Sequence, residues 1–232
     1  MTEHSAGEGW QHCIVKYTPP HGTTFGDRWR ALLLLEELAL RTLSLHGVGA
    51  APTQVLHSTQ RTYLESTRFD RIGMGGKQHV VAIAALHDEF VSSPWQNWVH
   101  TAKALAQQGM ITPHELQQIV RIFAFGHYIG NTDMHSGNLS FYVDDVITPK
   151  IRLAPVYDML PMMWRPDIHQ GMLSDSPVRQ QMMPSGFADQ QEDARNWAIE
   201  FWGQAQQLDI GADLCAAAGE SARRLKTNFI DS

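Results

Sequence analysis

The chain has 232 residues, 43% of them hydrophobic, enough to bury a substantial core in one domain or two tightly joined lobes. No apolar run approaches the ~18 residues of a membrane span, and the opening residues MTEHSAGEGW have neither the basic start nor the apolar stretch of a secretory signal. A net charge of −6 offers no general footprint for direct nucleic-acid binding. The two cysteines, Cys13 and Cys215, form no CxxC pair or disulfide framework, so a reducing cytoplasm is the expected location.

The N-terminal third reads as strand, helix, strand, strand. HCIVKYT (12–18) is a short run of β-formers closed by Pro19-Pro20, which cannot continue a ladder. Residues 27–46 predict a long helix with Asp27 as N-cap and Gly47 as its stop. TQVLHS (53–58) and RTYLESTRFDR (61–71) predict two strands joined by a polar turn, and GMGGK (73–77) then breaks the pattern. The expected organisation is an N-lobe over 1–72 and a mainly helical C-lobe over 73–232.

In the second part a helix is expected over about 94–107. Thr112, Pro113 and Glu115 spell a capping box for the next helix, whose apolar face carries Ile119, Ile122, Phe123 and Tyr128. That helix runs into the polar loop GNTDMHSGNLS (130–140). LSFYV and KIRLAP predict a hairpin around DDVITP, and the Met-rich segment 172–186 reads as a mobile loop. Helices near 190–208 and 212–227 close the chain.

Phosphoryl transfer from a nucleotide needs a carboxylate beside the attacking hydroxyl, oxygen ligands for Mg²⁺, and a cation on the phosphates. This chain supplies each in order. Lys16 lies in an apolar strand, where it needs a partner. On the following helix Glu36 has Leu32, Leu33, Ala39 and Leu40 three and four residues away, whereas Glu37 has Arg41 at i+4. Glu36 therefore faces the core, where a carboxylate is costly unless it meets a cation, and Lys16–Glu36 is the favoured pair over Lys16–Glu37. Downstream, Asp133 and Asn138 stand in a D-x-x-x-x-N arrangement, and Asp158 follows the hairpin in LAPVYDML.

Each match has a structural alternative. Lys16 and Glu36 can be a buried ion pair, Asp133 and Asn138 turn formers, Asp158 the N-cap of MLPMMW, and His127 and His135 hydrogen-bonded structural histidines. One shared explanation in this order outweighs several unrelated ones.

GNTDMHSGNLSFY followed by IRLAPVYDMLP resembles the C-lobe core of the HipA-like serine/threonine kinases, which carry G-x-x-D-x-H-x-x-N and then L-x-P-x-Y-D. CIVKYTPP is similar to the family's nucleotide-lysine strand, LLEELALRTLSLHGVGAAP to its glutamate helix, and YLESTRFDR to its adenine-hinge strand. The resemblance implies a bilobal, protein-kinase-like α+β fold that uses ATP and Mg²⁺ to phosphorylate a protein Ser or Thr hydroxyl. It implies Asp133 as catalytic base, Asn138 and Asp158 as metal ligands, and Lys16, Glu36, Thr67 and Phe69 at the nucleotide. It also implies toxin-type function, a translation protein as substrate, and restraint by a helix-turn-helix antitoxin.

Two departures accompany the resemblance. Gly137 stands where better-known members often have lysine. Only eleven residues precede His12, so that SAGEGW (5–10) reads as a remnant of the phosphate-gripping loop, and the chain reads either as a fragment of a longer ancestor or as one part of a split system whose companion chain supplies the N-terminal part. A catalytically impaired kinase-like binding protein, one part of a split kinase, and a metal-dependent hydrolase using Asp133, His135 and Asp158 are the alternative readings.

Overall fold

Three β-rich segments pair first. Strands β1 (Cys13–Tyr17), β2 (Thr53–His57) and β3 (Thr62–Thr67) form an antiparallel sheet in the order β1-β3-β2, with Lys16 opposite Leu64 and Leu64 opposite Val55. This computed structural model describes residues 11–145, 150–166, 174–179 and 183–227. SAGEGW, the hairpin tip 146–149 and part of the 172–186 segment therefore lie outside the described residues.

Helix α1 (Thr24–Leu45) crosses the inner face of this sheet and also packs against the helix over Ala188–Ala205. Its stripe of Ala31, Leu32, Leu35, Leu38, Ala39 and Leu43 is buried. The helix begins earlier than Asp27: the Thr23 hydroxyl accepts the Gly26 N–H at 3.0 Å and is the N-cap. Asp27 instead sits in the first turn, where its carboxylate accepts the Gly22 N–H at 3.1 Å and complements the helix dipole. Gly47, at φ +76°, supplies the left-handed residue beyond the C-cap.

The strand expected over 61–71 stops at Thr67. Arg68 and Asp70 form a local ion pair at 2.6 Å that turns the chain, and a small hairpin of β4 (Arg71–Ile72) and β5 (Gly76–Lys77) follows. Strand β6 (Val80–Ala82) then feeds helix α2 (Ile83–Phe90); neither element was expected. VVAIAALHDEF is a short apolar run in which periodicity does not separate strand from helix. The partner of β6 is distant: it pairs with β7 (Ser140–Val143), which pairs with β8 (Ile151–Leu153), giving the antiparallel order β6-β7-β8.

The remaining elements are helical. Helix α3 (Trp98–Gln107) starts at Asn97, whose side chain accepts the His100 N–H, and not near residue 94. Helix α4 (Pro113–Tyr128) has the full expected capping box of Thr112 and Glu115. A 3-10 turn (Met162–Trp164) precedes helices α5 (Ala188–Ala205) and α6 (Ala212–Thr227). No helix among the described residues is long and apolar enough to cross a membrane.

The α4–α5 contact holds the centre of the core. Phe125 meets Phe201 edge-on at 6.0 Å, and Trp202 packs against Trp164 at 5.0 Å. The Trp202 indole N–H donates to the Tyr128 carbonyl at 3.0 Å, just where α4 hands the chain to the 130–140 loop. Trp202→Ala is expected to lower unfolding free energy by about 3–5 kcal/mol, measured by urea titration. Trp202→Phe is expected to cost less, because it keeps most of the buried area and loses the hydrogen bond and part of the ring volume.

Candidate active site

Lys16 projects from the face of β1 that looks at α1. Its ammonium donates to both Glu36 oxygens, at 2.6 and 2.8 Å, and to Asp158 Oδ1 at 2.5 Å. Glu36 is only 1% exposed, so its charge is viable there because of Lys16. Glu37 instead makes the i,i+4 pair with Arg41, at 3.1 Å. Burial alone would lower the Lys16 pKa, but the charges of Glu36 and Asp158 more than offset it and hold the ammonium protonated above its usual range. Burial pushes the Glu36 carboxyl upward, with the Lys16 charge pulling the other way.

Asp158 reaches this pair from the loop after β8. At φ 52° it has the one positive φ of a non-glycine among the described residues. Asp tolerates this region better than most residues, at a cost of about 1–2 kcal/mol. Its carboxylate binds Lys16 and caps no helix; the nearest helical turn starts later, at Met162, behind Pro161.

The 130–140 loop is tied to Asp158 through Asn131, which is 3% exposed. Its side-chain amide donates to the Asp158 carbonyl at 3.4 Å, and its oxygen accepts the Asp133 N–H at 3.0 Å. Tyr157 makes a second tie: its hydroxyl donates to the Gly137 carbonyl at 2.8 Å and so accepts from Ser140 at 2.7 Å. The Trp98 indole anchors the His135 carbonyl at 2.9 Å. Sequence reasoning singled out none of these three residues for a role. Asn131 had a faint signal, a polar side chain directly after an apolar helix.

Within the loop, the Asn138 amide N–H donates to the Asp133 carbonyl at 2.9 Å. Asn138 thus does act as a turn former, yet only through its donor, and its oxygen has no hydrogen-bond partner among the described residues. The Asp133 carboxylate likewise has none and is exposed to a cavity of about 830 Å³. His135 Nδ1 accepts the Gly137 N–H at 2.9 Å, and a Cβ on Gly137 would lie 2.8 Å from the His135 ring. A side chain at position 137 would require the His135 ring to shift.

Thr67 and Phe69 are placed apart from the charged group. Register puts Thr67 opposite Cys13, on the sheet face away from Lys16, where its hydroxyl accepts from the Gln11 amide at 2.7 Å. Phe69 packs against Tyr157 at 5.7 Å and Tyr142 at 6.0 Å. Ile14, two residues from Lys16 on the same face, leaves 54% of its surface exposed. Asn131→Ala is expected to cost about 1–3 kcal/mol, the range for stranding buried polar groups. It should also speed amide hydrogen exchange across residues 131–138, read by mass spectrometry.

Comparison with known proteins gives this arrangement a lineage. The model of the HipA-like C-terminal domain family matches residues 1–227. Toxin YjjJ of Escherichia coli (strain K12) is 40% identical over 171 residues, which is 73% of this chain and 38% of that toxin. The chain thus spans well under half the length of this curated relative. Among solved structures, the kinase CtkA of Helicobacter pylori, described as proinflammatory, superposes with a TM-score of 0.60 at 13% identity, covering 99% of this chain and 91% of that one. HipA of Shewanella oneidensis MR-1, solved with HipB and operator DNA, superposes with a TM-score of 0.57 at 17% identity, covering 92% and 56%. The fold is thus the mixed helix-and-strand, kinase-like fold expected from the sequence, and the chain belongs to the HipA-like C-terminal domain family.

Proposed function

We propose that this chain is the catalytic part of an ATP-dependent serine/threonine protein kinase of the HipA-like toxin type. The observation that carries the reading is the convergence on one ammonium of a strand lysine, a buried helix glutamate and an aspartate far along the chain. Lys16 would hold phosphate oxygens and Glu36 would fix Lys16. Asp133, whose carboxylate is free of hydrogen bonds and open to a cavity, would orient the acceptor hydroxyl and take its proton. Thr67 and Phe69 would border the nucleotide through the backbone at the end of β3.

The donor chemistry suits a hard divalent cation: the Asn138 amide oxygen and the second Asp158 oxygen are both uncommitted among the described residues, and both are oxygen ligands. Mg²⁺ held there would neutralise charge on the phosphates. The metal-dependent hydrolase finds less support, because no group of three or more His, Cys, Asp or Glu converges among the described residues. The same proposal takes in a cytoplasmic setting, a translation protein as substrate and a helix-turn-helix antitoxin.

The test is label transfer from γ-labelled ATP with Mg²⁺ to acceptor protein or to the chain itself. Asp133→Ala is expected to reduce transfer by about 10²–10⁴-fold, with nucleotide affinity retained. Asp158→Asn keeps a residue that tolerates the left-handed backbone, so it should abolish metal-dependent turnover while circular dichroism stays native. Lys16→Met should weaken ATP binding by about tenfold or more, the worth of a charge-assisted hydrogen bond. An ATP-dependent thermal shift with no transfer under any condition would replace this reading with the kinase-like binding protein.

A further inference from the structure

The cavity beside Asp133 has a charge pattern that the proposed chemistry does not use. The chain carries a net charge of −6, yet among the described residues Asp133 is the one carboxylate lining this space. Around it stand Lys103 and three histidines, His100, His127 and His135. Lys103, on α3, makes no ion pair among the described residues. Its ammonium lies 4.8 Å from the centre of the Phe187 ring, a contact that fixes the side chain without neutralising it. His100, one turn earlier on the same helix, has a buried Nδ1 with no hydrogen-bond partner, while its Nε2 meets Ser93 at 3.1 Å.

A partly buried lysine with an aromatic contact and no carboxylate is an unneutralised cation at a cavity wall. Such a cation calls for a ligand group that is anionic and accepts hydrogen bonds. The same cavity holds the carboxylate proposed to receive the acceptor hydroxyl, so the anion and the hydroxyl belong to one incoming segment. The apolar surface of Val99, Phe123 and Met134 in the same wall suits a polypeptide. A nucleic acid, with a phosphate at every nucleotide, calls for several cations, and the described residues of this wall include a single lysine.

We infer that Lys103 is a specificity-determining residue that selects acceptor segments carrying an acidic side chain close to the Ser or Thr. This rests on the kinase reading for the identity of the acceptor, but its test does not require phosphoryl transfer. A positional array of Ser-centred peptides is probed with the labelled full chain in the absence of ATP. Glu and Asp are expected to be enriched next to the central Ser, with about fivefold tighter binding than the Gln-substituted peptide, the scale of one partly exposed ion pair.

Lys103→Met should erase that preference and Lys103→Arg should keep it. Lys103→Glu should invert it toward Lys- and Arg-flanked peptides, which mere damage to the wall would not do. Asp133→Ala should retain the acidic preference whether or not the chain transfers phosphate, so failure of the kinase reading is seen separately in the label-transfer assay. The inference is overturned if the wild-type chain retains no peptide, if acidic and neutral peptides bind alike, or if the preference survives Lys103→Met. It is likewise overturned if single-stranded oligothymidylate binds at this wall in a Lys103-dependent manner with no acidic-peptide preference.

Discussion

The ammonium of Lys16 is where the two halves of the chain are joined by charge. An ammonium has three protons, and all three are committed: two to Glu36 and one to Asp158. Glu36 sits in a nearly dry environment on α1, so without Lys16 it would be an unpaired buried charge, one of the more costly defects a fold can hold. Asp158 adopts a backbone conformation that most residues avoid, and its bond to Lys16 helps to hold it there. Under the proposed function this saturation has a consequence. Phosphate oxygens can reach Lys16 only by replacing the Asp158 bond, because Glu36 is fixed and buried. The same exchange releases an Asp158 oxygen for a metal ion, so nucleotide and metal sites would be prepared by one rearrangement.

Neutral hydrogen bonds do the complementary work around the loop. Asn131 spans from the Asp158 carbonyl to the Asp133 N–H, so the backbone of the proposed base and that of the proposed metal ligand move together. Tyr157 repeats the link from the neighbouring position to Gly137, and Trp98 brings in α3. These bonds all engage backbone carbonyls or N–H groups, which leaves the Asp133 carboxylate and the Asn138 oxygen open. Rigid main chain and unsatisfied side-chain oxygens are what a catalytic loop requires.

What could be seen in the sequence depended on how local the physics was. The capping box at Thr112 and Glu115 is a short-range hydrogen-bond pattern, and it appears as expected. The choice of Glu36 over Glu37 as the buried carboxylate followed from helical phase alone, which neighbouring residues determine. Strand β6 and helix α2 were invisible because their assignment depends on β7, a partner nearly sixty residues away, while the local run suits either state. The start of α1 was misplaced for a related reason. Thr23 and Asp27 are both good caps, and the path of the chain out of β1, not propensity, selects the first. Asn131 and Tyr157 escaped notice because their roles are defined by contacts across the fold.

The arrangement of the cavity and the lysine cluster bears on how a two-substrate reaction could be organised here. Asn131 and Asp133 line the cavity, whereas Lys16, Glu36 and Asp158 do not. Asn131 lines the cavity and bonds the Asp158 backbone, so the loop links the cavity to the charged cluster. The two places differ in charge. The cluster holds two carboxylates against one ammonium, which suits a metal ion and its polyphosphate. Among the described residues the cavity sets one carboxylate against a lysine that makes no ion pair, which under the inference above suits an acidic acceptor. Different electrostatic preferences at the two places would keep each substrate from occupying the other's place. The hydroxyl and the phosphate could then meet only at the loop, beside Asp133, whose carboxylate accepts no hydrogen bond among the described residues.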